Sequence, residues 1–204
     1  MLFEDTYRTI AAPSKGFFKD RGSKFIGFAF PVKMDGEVKA LIGRLRTEHD
    51  KARHFCWALR LTPDRLVFRL SDDGEPSGTA GKPILNTLLS ADLTDILIVV
   101  VRYFGGTLLG VPGLINAYKS AAAEAIDSAQ IVERTVNDVY ILSFDYQKID
   151  EVMKIIKNEN LQMSKQLFDI SCSLEISIRK SRVNKVIEKF NKIASLKSQF
   201  LVTL

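Results

Sequence analysis

Alternating apolar and polar residues near the N-terminus predict a β-hairpin, which is followed by an amphipathic helix. The segment from Phe17 to Val32 has strand composition, with Ile26, Phe28 and Phe30 on one face, and Asp20–Ser23 has the composition of a turn. From Asp35 to Asp50 the apolar spacing changes to three and four, which is typical of a helix with one buried face. Together with a strand over residues 7–11, this predicts a strand, a hairpin and a helix in that order.

A second hairpin and two core helices complete the pattern of the first part of the chain. The segments HFCWALRL and RLVFRL have strand composition and flank a Thr62-Pro63-Asp64 turn. The uninterrupted, largely β-branched run from Ile96 to Val101 predicts a strand buried on both faces. Helical spacing resumes at Pro83, which suits a first helical position, and an alanine-rich helix follows Gly113.

The distribution of glycine and proline divides the chain. All twelve glycines and all six prolines lie in the first 113 residues, and the remaining 91 residues contain neither. The later segments alternate in a βαββαβ order, which predicts a ferredoxin-like domain. We therefore expect an α+β protein with two domains, residues 1–135 and 136–204. The predicted elements of the second domain are strands 139–146, 162–169, 172–178 and 197–202, and helices 149–158 and 182–193.

Composition and charge limit the class of protein and of partner. Hydrophobic residues make up 46% and charged residues 26% of the chain, which is ordinary for a soluble globular protein. The N-terminus lacks the features of a signal peptide, no apolar run is long enough to span a membrane, and Cys56 and Cys172 lack metal-ligand spacing. We therefore expect a cytoplasmic protein without a cofactor or metal. Its net charge of +5 favours anionic partners.

The stretch from Ser71 to Gly113 concentrates the residues with candidate chemistry. It holds seven of the twelve glycines in two clusters, and the first cluster includes Asp72, Asp73 and Glu75. Carboxylates this close together can hold a hard cation such as Mg²⁺ or divide the roles of general acid and base. They can equally cap the helix that follows and pair with Arg102. The spacing leaves these alternatives open.

His54 stands at the start of a strand, two residues before Cys56. A neutral imidazole bonded to a carboxylate of the acidic loop can be a structural pin or half of a proton-transfer pair. Cys56 has apolar neighbours, and burial raises a thiol pKa, so this residue is a weak candidate nucleophile. The residues expected to line one groove, with their polar groups in one hydrogen-bond network, are His54, Asp72, Asp73, Glu75 and Arg102.

Other motifs in this stretch are incomplete. Ser77 lacks the G-x-S-x-G context of a nucleophile elbow. Gly105 and Gly106 can offer backbone N–H groups to a phosphate, as glycine-rich loops do. Their loop lacks the Lys-Ser/Thr ending of a P-loop and the spacing of a Rossmann motif. Nucleotide binding of either type is therefore not expected.

A basic segment near the C-terminus is a further candidate site. The spacing of Arg182, Lys185, Lys189 and Lys192 places four cations on one helical face, with a single acid, Glu188, in the helix. An unneutralised stripe of this kind suits a phosphate backbone, although a solvated outer face has the same pattern. The candidate nucleic-acid-binding residues are Arg179, Lys180, Arg182, Lys185, Lys189 and Lys192.

Three segments of the first domain resemble the signatures of the YigZ/IMPACT family. They are SDDGEPSGTAGKPIL from Ser71, VVVRYFGGTLLG from Val99 and ARHFCW from Ala52. The resemblance covers the first domain throughout, and the second domain is similar to the additional module of bacterial YigZ-type members. The motif residues that the resemblance places in a groove are Ser77, Thr79, Lys82, Arg102, Tyr103, Gly105 and Gly106.

The resemblance implies a first domain with the fold shared by a small-subunit ribosomal protein and domain IV of elongation factor G. It implies a second domain similar to domain V of that factor. It also implies a role in translational control, for which nucleic-acid binding is the usual proposal. The chain departs from the family at Val111-Pro112 and at Asn116, where the family usually has an arginine. This second departure removes one expected basic contact.

Together, these features predict a non-catalytic protein that binds RNA or the ribosome and regulates translation. A hydrolase built on His54 and the acidic loop is the first alternative. A protein-interaction module that uses the glycine-loop surface is the second alternative. Neither a small-molecule substrate nor a membrane partner is expected.

Overall fold

The computed structural model describes residues 5–204 and has the predicted α+β architecture. The chain divides into two compact units. The larger unit comprises Arg8–Arg134, and the smaller unit comprises Thr135–Leu204 together with residues 5–7. The predicted division at residues 135 and 136 lies beside this boundary. Independent folding of either unit stays a prediction.

The larger unit is built on a five-stranded sheet with helices on both faces. The elements of the chain as far as residue 135 are β1 (Thr6–Ile10), β2 (Ser14–Asp20), β3 (Ser23–Pro31), α1 (Gly36–Glu48), β4 (His54–Leu61), β5 (Val67–Ser71), α2 (Gly81–Ser90), β6 (Ile96–Tyr103), α3 (Gly110–Asp127) and β7 (Ile131–Thr135). The sheet has the order β2-β3-β6-β4-β5, and each neighbouring pair is antiparallel. Both predicted hairpins are therefore confirmed.

Strand β6 lies at the centre of this sheet, and its side chains belong to two cores. Ile96, Ile98 and Val100 pack in the core that α2 and α3 cover. Leu97 and Val99 pack on the opposite face, in the core that α1 covers. All of these side chains are fully buried. The prediction of a strand buried on both faces is therefore confirmed.

Helix α3 approaches the β2–β3 hairpin closely because two glycines leave room for it. A Cβ atom added at Gly27 would lie 2.2 Å from the carbonyl oxygen of Ala121, and one at Gly16 would lie 2.2 Å from the backbone nitrogen of Ala125. Neither distance is possible between non-bonded atoms, so both positions require glycine for space. The alanine-rich sequence of α3 is the complementary half of this contact, as the sequence predicted.

Two helices begin at other residues than predicted. Helix α2 begins at Gly81, so Pro83 is its third residue rather than its first. Helix α3 begins at Gly110 and includes Gly113, so Pro112 is likewise a third residue. The first N–H groups of a helix have no intrahelical acceptor, so a proline anywhere in the first turn removes no helical hydrogen bond.

The smaller unit has the predicted βαββαβ order. Its elements are β8 (Asn137–Asp145), α4 (Ile149–Glu159), β9 (Gln162–Leu167), β10 (Ser171–Arg179), α5 (Val183–Phe190) and β11 (Lys197–Thr203). The antiparallel sheet has the order β11-β8-β10-β9, and α4 and α5 pack on one face of it. This order is that of a ferredoxin-like domain. Helix α5 is shorter than predicted, because it ends at Phe190 rather than at residue 193; a single 3-10 turn precedes it at Lys180–Arg182.

The sequence did not predict β7. This strand, IVERT, pairs with β1 in a two-stranded sheet. Four of its five residues are exposed to solvent, so buried and exposed positions do not alternate along it. A strand in so small a sheet need not alternate apolar and polar residues, because neither of its faces is deeply buried. Its pairing partner lies more than a hundred residues away, so local sequence carries little signal for it.

The smaller unit should fold by itself when it is expressed as residues 135–204. Val136 is buried, its carbonyl accepts from the Lys180 N–H, and Asn137 exchanges two backbone hydrogen bonds with Leu204. We expect this fragment to melt cooperatively and to be about 2–4 kcal/mol more stable than a fragment beginning at Asp138, which lacks these groups. Urea unfolding followed by circular dichroism measures the difference. A non-cooperative melt of the longer fragment would contradict the prediction.

Candidate functional site

The carboxylate of Asp72 holds the acidic loop against the start of α2. One of its oxygens accepts hydrogen bonds from the backbone N–H groups of Ala80 and Gly81 at 3.0 and 2.8 Å. The other oxygen accepts from the N–H of Gly78 at 2.9 Å. These N–H groups lie at the helix N-terminus, where they have no intrahelical acceptor and where negative charge is favourable. Asp72 therefore has the helix-capping role that the sequence left as one alternative.

Asp73 connects the same loop to β4 and α1. Its Oδ2 accepts a hydrogen bond from the Phe55 N–H at 2.6 Å, and its Oδ1 lies 2.6 Å from the guanidinium of Arg46. The Arg46 guanidinium also lies over the Phe55 ring, 4.6 Å from its centre. Because both oxygens are engaged, this carboxylate has a structural function in addition to any chemical one.

Glu75 forms a buried ion pair with Arg102 at the end of β6. Its Oε1 lies 2.6 Å from Nη1 of Arg102 and accepts a hydrogen bond from the Tyr118 hydroxyl at 2.7 Å. The side chains of Glu75 and Arg102 are only 4% and 6% exposed. The arginine also lies between the rings of Phe25 and Phe104. The predicted alternative of a carboxylate of this loop paired with Arg102 is therefore confirmed for Glu75, whereas Asp72 and Asp73 bind backbone groups and Arg46 instead.

His54 contacts the backbone of the acidic loop rather than one of its carboxylates. Its Nδ1 lies 2.9 Å from the carbonyl oxygen of Asp73. A carbonyl can only accept, so Nδ1 carries the proton and Nε2 of the neutral ring has the free lone pair. The expected imidazole–carboxylate bond is therefore wrong. This geometry is that of a structural pin, and it leaves Nε2 as the only ring nitrogen available for chemistry.

The residues expected in one groove do lie at one end of the sheet, but their polar groups form separate pairs. His54 and Arg102 occupy directly opposite positions on β4 and β6. The acidic loop reaches both residues, through Asp73 to the first and through Glu75 to the second. The five side chains do not form a single hydrogen-bond network, since Asp72 faces the start of α2. A common groove stays a prediction.

Cys56 lies beneath this loop and is not activated. Its thiol donates to the carbonyl oxygen of Asp72 at 2.9 Å. Burial raises the pKa of the Cys56 thiol well above its ordinary value, and burial raises the pKa of the Tyr118 hydroxyl in the same way. Both groups therefore stay protonated. Across residues 5–204 no group of three or more histidine, cysteine or acidic side chains is arranged to hold a metal ion.

The other motif residues have different local roles. Thr79 donates its hydroxyl to the Pro76 carbonyl at 2.6 Å, and the Tyr103 hydroxyl lies 2.8 Å from Nδ1 of His49. Gly105 packs on the β2–β3 turn so closely that an added Cβ would lie 2.0 Å from the carbonyl carbon of Gly22. Of the remaining motif residues, Ser77 and Gly106 are exposed and Lys82 lines a pocket of about 520 Å³ between α2 and α3.

The basic segment near the C-terminus is partly neutralised, which corrects the predicted stripe of unpaired cations. Arg182 and Lys189 both bind the carboxylate of Glu159, which comes from α4 and is 9% exposed. The hydrogen bond from Lys189 is the main cause of a lowered pKa for Glu159. Arg179 belongs to β10 and forms a bidentate pair with Asp5. A nucleic-acid-binding role for Lys180, Lys185 and Lys192 as well stays a prediction.

The β2–β3 hairpin carries a second cluster of cations, for which the sequence predicted no function. Lys15, Phe17 and Lys19 share the side of β2 away from α3, with Lys15 opposite Phe28 and Lys19 opposite Lys24 on β3. The Lys15 ammonium lies 5.1 Å from the centre of the Phe28 ring, and that of Lys19 lies 5.2 Å from the Phe17 ring. We call these five residues the cationic hairpin face. The alternation of lysine and phenylalanine in SKGFFKD is the signal that could have shown it.

The chain is therefore a two-domain α+β protein, and the acidic glycine-rich loop of its larger unit is held against α2, β4 and β6. Residues 21–126 match the Impact N-terminal domain. The chain is 36% identical to an IMPACT family member of Haemophilus influenzae, over 86% of this chain and 84% of the relative. It is 34% identical to the IMPACT family member YigZ of Escherichia coli, over 72% of each chain. The chain therefore belongs to the IMPACT family.

A solved structure supports this assignment over nearly the whole chain. A crystal structure described as that of a hypothetical protein matches 98% of this chain and 99% of its own, with 27% sequence identity and a TM-score of 0.77. The match extends through both units, so the smaller unit is part of the shared architecture. Within residues 5–204, each helix is too short or too polar to traverse a lipid bilayer.

Proposed function

We propose that this protein binds RNA, free or in the ribosome, through the cationic hairpin face, and that it regulates translation without catalysing a reaction. The observation that carries the proposal is the alternation of unpaired lysines and aromatic rings on one open side of the sheet. Lysines bind the phosphate backbone, and aromatic side chains stack on unpaired bases. The family resemblance supports translational control as the process.

The hairpin face is exposed at the β2 edge of the sheet. The strand β2 is an edge strand, and Phe17 is 46% exposed. Lys15, Lys19 and Lys24 are also exposed, and none of them forms an ion pair with any residue between 5 and 204. Their charges are therefore available to an anionic partner, in contrast to those of Arg182 and Lys189.

The lysine pair across β2 and β3 is unfavourable for stability, which supports a binding role. Lys19 and Lys24 are directly opposite each other in the antiparallel register. Like charges in this position destabilise a sheet, by an amount on the order of 0.2–1 kcal/mol. A phosphate bound between the two ammonium groups would relieve this repulsion. RNA binding would therefore offset the repulsion between these two lysines.

A hydrolase built on His54 and the acidic loop has less support. Asp72, Asp73 and Glu75 are each bound to backbone N–H groups or to a cation, so none is placed as a free base beside the imidazole. Only the lone pair of Nε2 of His54 remains available, and Nδ1 donates to a backbone carbonyl rather than to a carboxylate that could orient the ring as a general base. The arrangement stabilises the loop and does not assemble a catalytic pair.

Replacing both Lys19 and Lys24 by glutamine should weaken RNA binding about tenfold and flatten its salt dependence. Each lost phosphate contact lowers the slope of log K against log salt by about 0.7–0.9. The same double change should leave the protein as stable or stabilise it by about 0.2–1 kcal/mol, because it removes the like-charge pair. Fluorescence-anisotropy titrations with ribosomal RNA fragments across a salt series measure the first effect, and urea unfolding measures the second.

The matched control removes the same charge from another surface. Lys154 and Lys157 of α4 are exposed, and their replacement by glutamine should leave RNA affinity nearly unchanged. Equal losses for both double variants would show that the hairpin face has no special role. No measurable RNA binding by the unmodified protein would favour a protein-interaction module. The exposed apolar side chains of Phe104, Leu108 and Val111 would then be its candidate surface.

A further inference from the structure

A second binding feature lies on the same side of the sheet as the cationic hairpin face, beyond α1. A slot of about 530 Å³ opens between α1 and the strands β4 and β5. Its apolar part is formed by Val38, Ile42 and the indole of Trp57. These side chains adjoin the core beneath α1, so the base of the slot is firmly supported. The slot is open to solvent and large enough for a planar aromatic group.

The rim of this slot is cationic. Lys39 and Arg46 from α1 and Arg69 from β5 border it, against one carboxylate, that of Asp35. Arg69 binds Asp35 at 2.7 Å, and Arg46 binds Asp73 outside the slot. Lys39 is exposed and forms no ion pair with any of the described residues 5–204. An apolar, aromatic floor with a cationic rim fits a ligand that has a flat ring and a negative charge.

Gly43 keeps the slot open at a cost to helix stability. A Cβ atom added at Gly43 would meet no atom within 4 Å, so neither packing nor a close approach requires glycine there. Its backbone is also not in the left-handed region that favours glycine. Glycine in the interior of a helix such as α1 is nevertheless destabilising relative to alanine. Gly43 borders the slot, so its missing side chain leaves space there.

We propose that this slot binds a nucleobase that carries a phosphate, with the base against Trp57 and the phosphate at Lys39. The proposal deepens the RNA-binding function proposed above and rests on it for the biological source of the ligand. The same chemistry can come from an unpaired nucleotide of an RNA strand or from a free nucleotide. Arginine and lysine are the usual phosphate partners, and bases stack on aromatic side chains irrespective of sequence.

Trp57 is the only tryptophan of the chain, so its fluorescence reports directly on the slot. We expect uridine 5′-monophosphate to quench this fluorescence in a saturable manner, and uridine without the phosphate to bind about tenfold more weakly. Replacing Lys39 by glutamine should weaken binding of the monophosphate and leave binding of uridine unchanged. Replacing Arg44, which lies over Phe30 and does not border the slot, is the matched control and should alter neither.

Gly43→Leu provides the decisive variant because its effects on stability and on binding have opposite signs. The leucine side chain fills the slot, so the saturable quenching should be lost, while the melting temperature should rise by a few degrees through better helix propensity. Gly36→Leu is the control. Gly36 also has open space around it, but it does not border the slot, so this variant should keep the quenching.

The outcomes separate the slot from the hairpin face. Absence of saturable quenching, or quenching that survives in Gly43→Leu, would overturn the proposal. The variant with Lys19 and Lys24 replaced should still bind the monophosphate. Binding of the monophosphate therefore tests the slot even if the protein does not bind RNA through the hairpin face. A single-stranded hexauridylate that binds more tightly than the monophosphate, and loses this advantage in that variant, identifies RNA as the source. Equal affinities for the hexauridylate and the monophosphate identify a free nucleotide as the source. Either of these two results supports nucleotide binding in the slot.

Discussion

Replacing Glu75 by alanine should destabilise the protein by about 3–5 kcal/mol. The substitution leaves the Arg102 guanidinium buried without its counter-ion and the Tyr118 hydroxyl without its acceptor. A buried, unpaired charge is among the most destabilising consequences of a single substitution, because the lost hydration is no longer offset. Urea unfolding monitored by Trp57 fluorescence measures the change in the free energy of unfolding.

A double variant separates the charge from the packing. Replacing Glu75 and Arg102 together by methionine removes both charges and keeps most of the apolar volume. We expect this variant to recover at least half of the stability lost in Glu75→Ala, since apolar replacement of a buried pair is often nearly neutral. If the double variant is as unstable as the single one, the ion pair is not the cause. This result would locate the effect in the Tyr118 contact or in the loop backbone.

Substitutions of Glu75 and Arg102 should change the stability of the protein without changing its affinity for RNA. The Glu75–Arg102 pair lies on the α2–α3 side of the sheet, and the cationic hairpin face lies on the opposite side. Variants of the pair that remain folded should therefore keep their RNA affinity. The family motif in the acidic loop then has a structural role, which is to hold the loop onto α2, α3 and β4.

Replacing Gly27 by alanine should destabilise the protein by about 3 kcal/mol or more. The new methyl group would lie 2.2 Å from the carbonyl oxygen of Ala121 and 3.2 Å from Cβ of Ala125, so α3 must move away from the sheet. Overpacking in a closely packed core typically costs about 1–3 kcal/mol, and backbone atoms can adjust less than a flexible side chain. Thermal unfolding of the variant measures the loss.

The matched control uses a glycine whose surroundings are open. Gly43→Ala adds the same methyl group with no atom of the protein within 4 Å, and we expect it to stabilise the protein by about 0.5–1 kcal/mol. Opposite signs for the two variants would show that steric space at α3, and not glycine flexibility, decides the outcome. A stability of Gly27→Ala close to that of the unmodified protein would show that α3 is free to move.

The sequence by itself determined the elements of this protein and their order. The two hairpins of the larger unit, the buried strand β6 and the βαββαβ order of the smaller unit were all readable from the period of apolar residues. Periodicity is a local property that is set by which faces of an element are buried, so neighbouring residues contain it. The element ends near prolines and the strand β7 were missed. There, the signal is weak or the pairing partner is distant in the chain.

Only the tertiary structure decided which groups neutralise one another. The sequence placed Asp72, Asp73 and Glu75 side by side, but their partners are the start of α2, Arg46 and Arg102 respectively. Two cations of the candidate stripe of the smaller unit share the carboxylate of Glu159, which no periodicity links to Arg182 or Lys189. Ion pairing depends on distances of a few ångströms between residues far apart in the chain, and only the packed fold sets these distances.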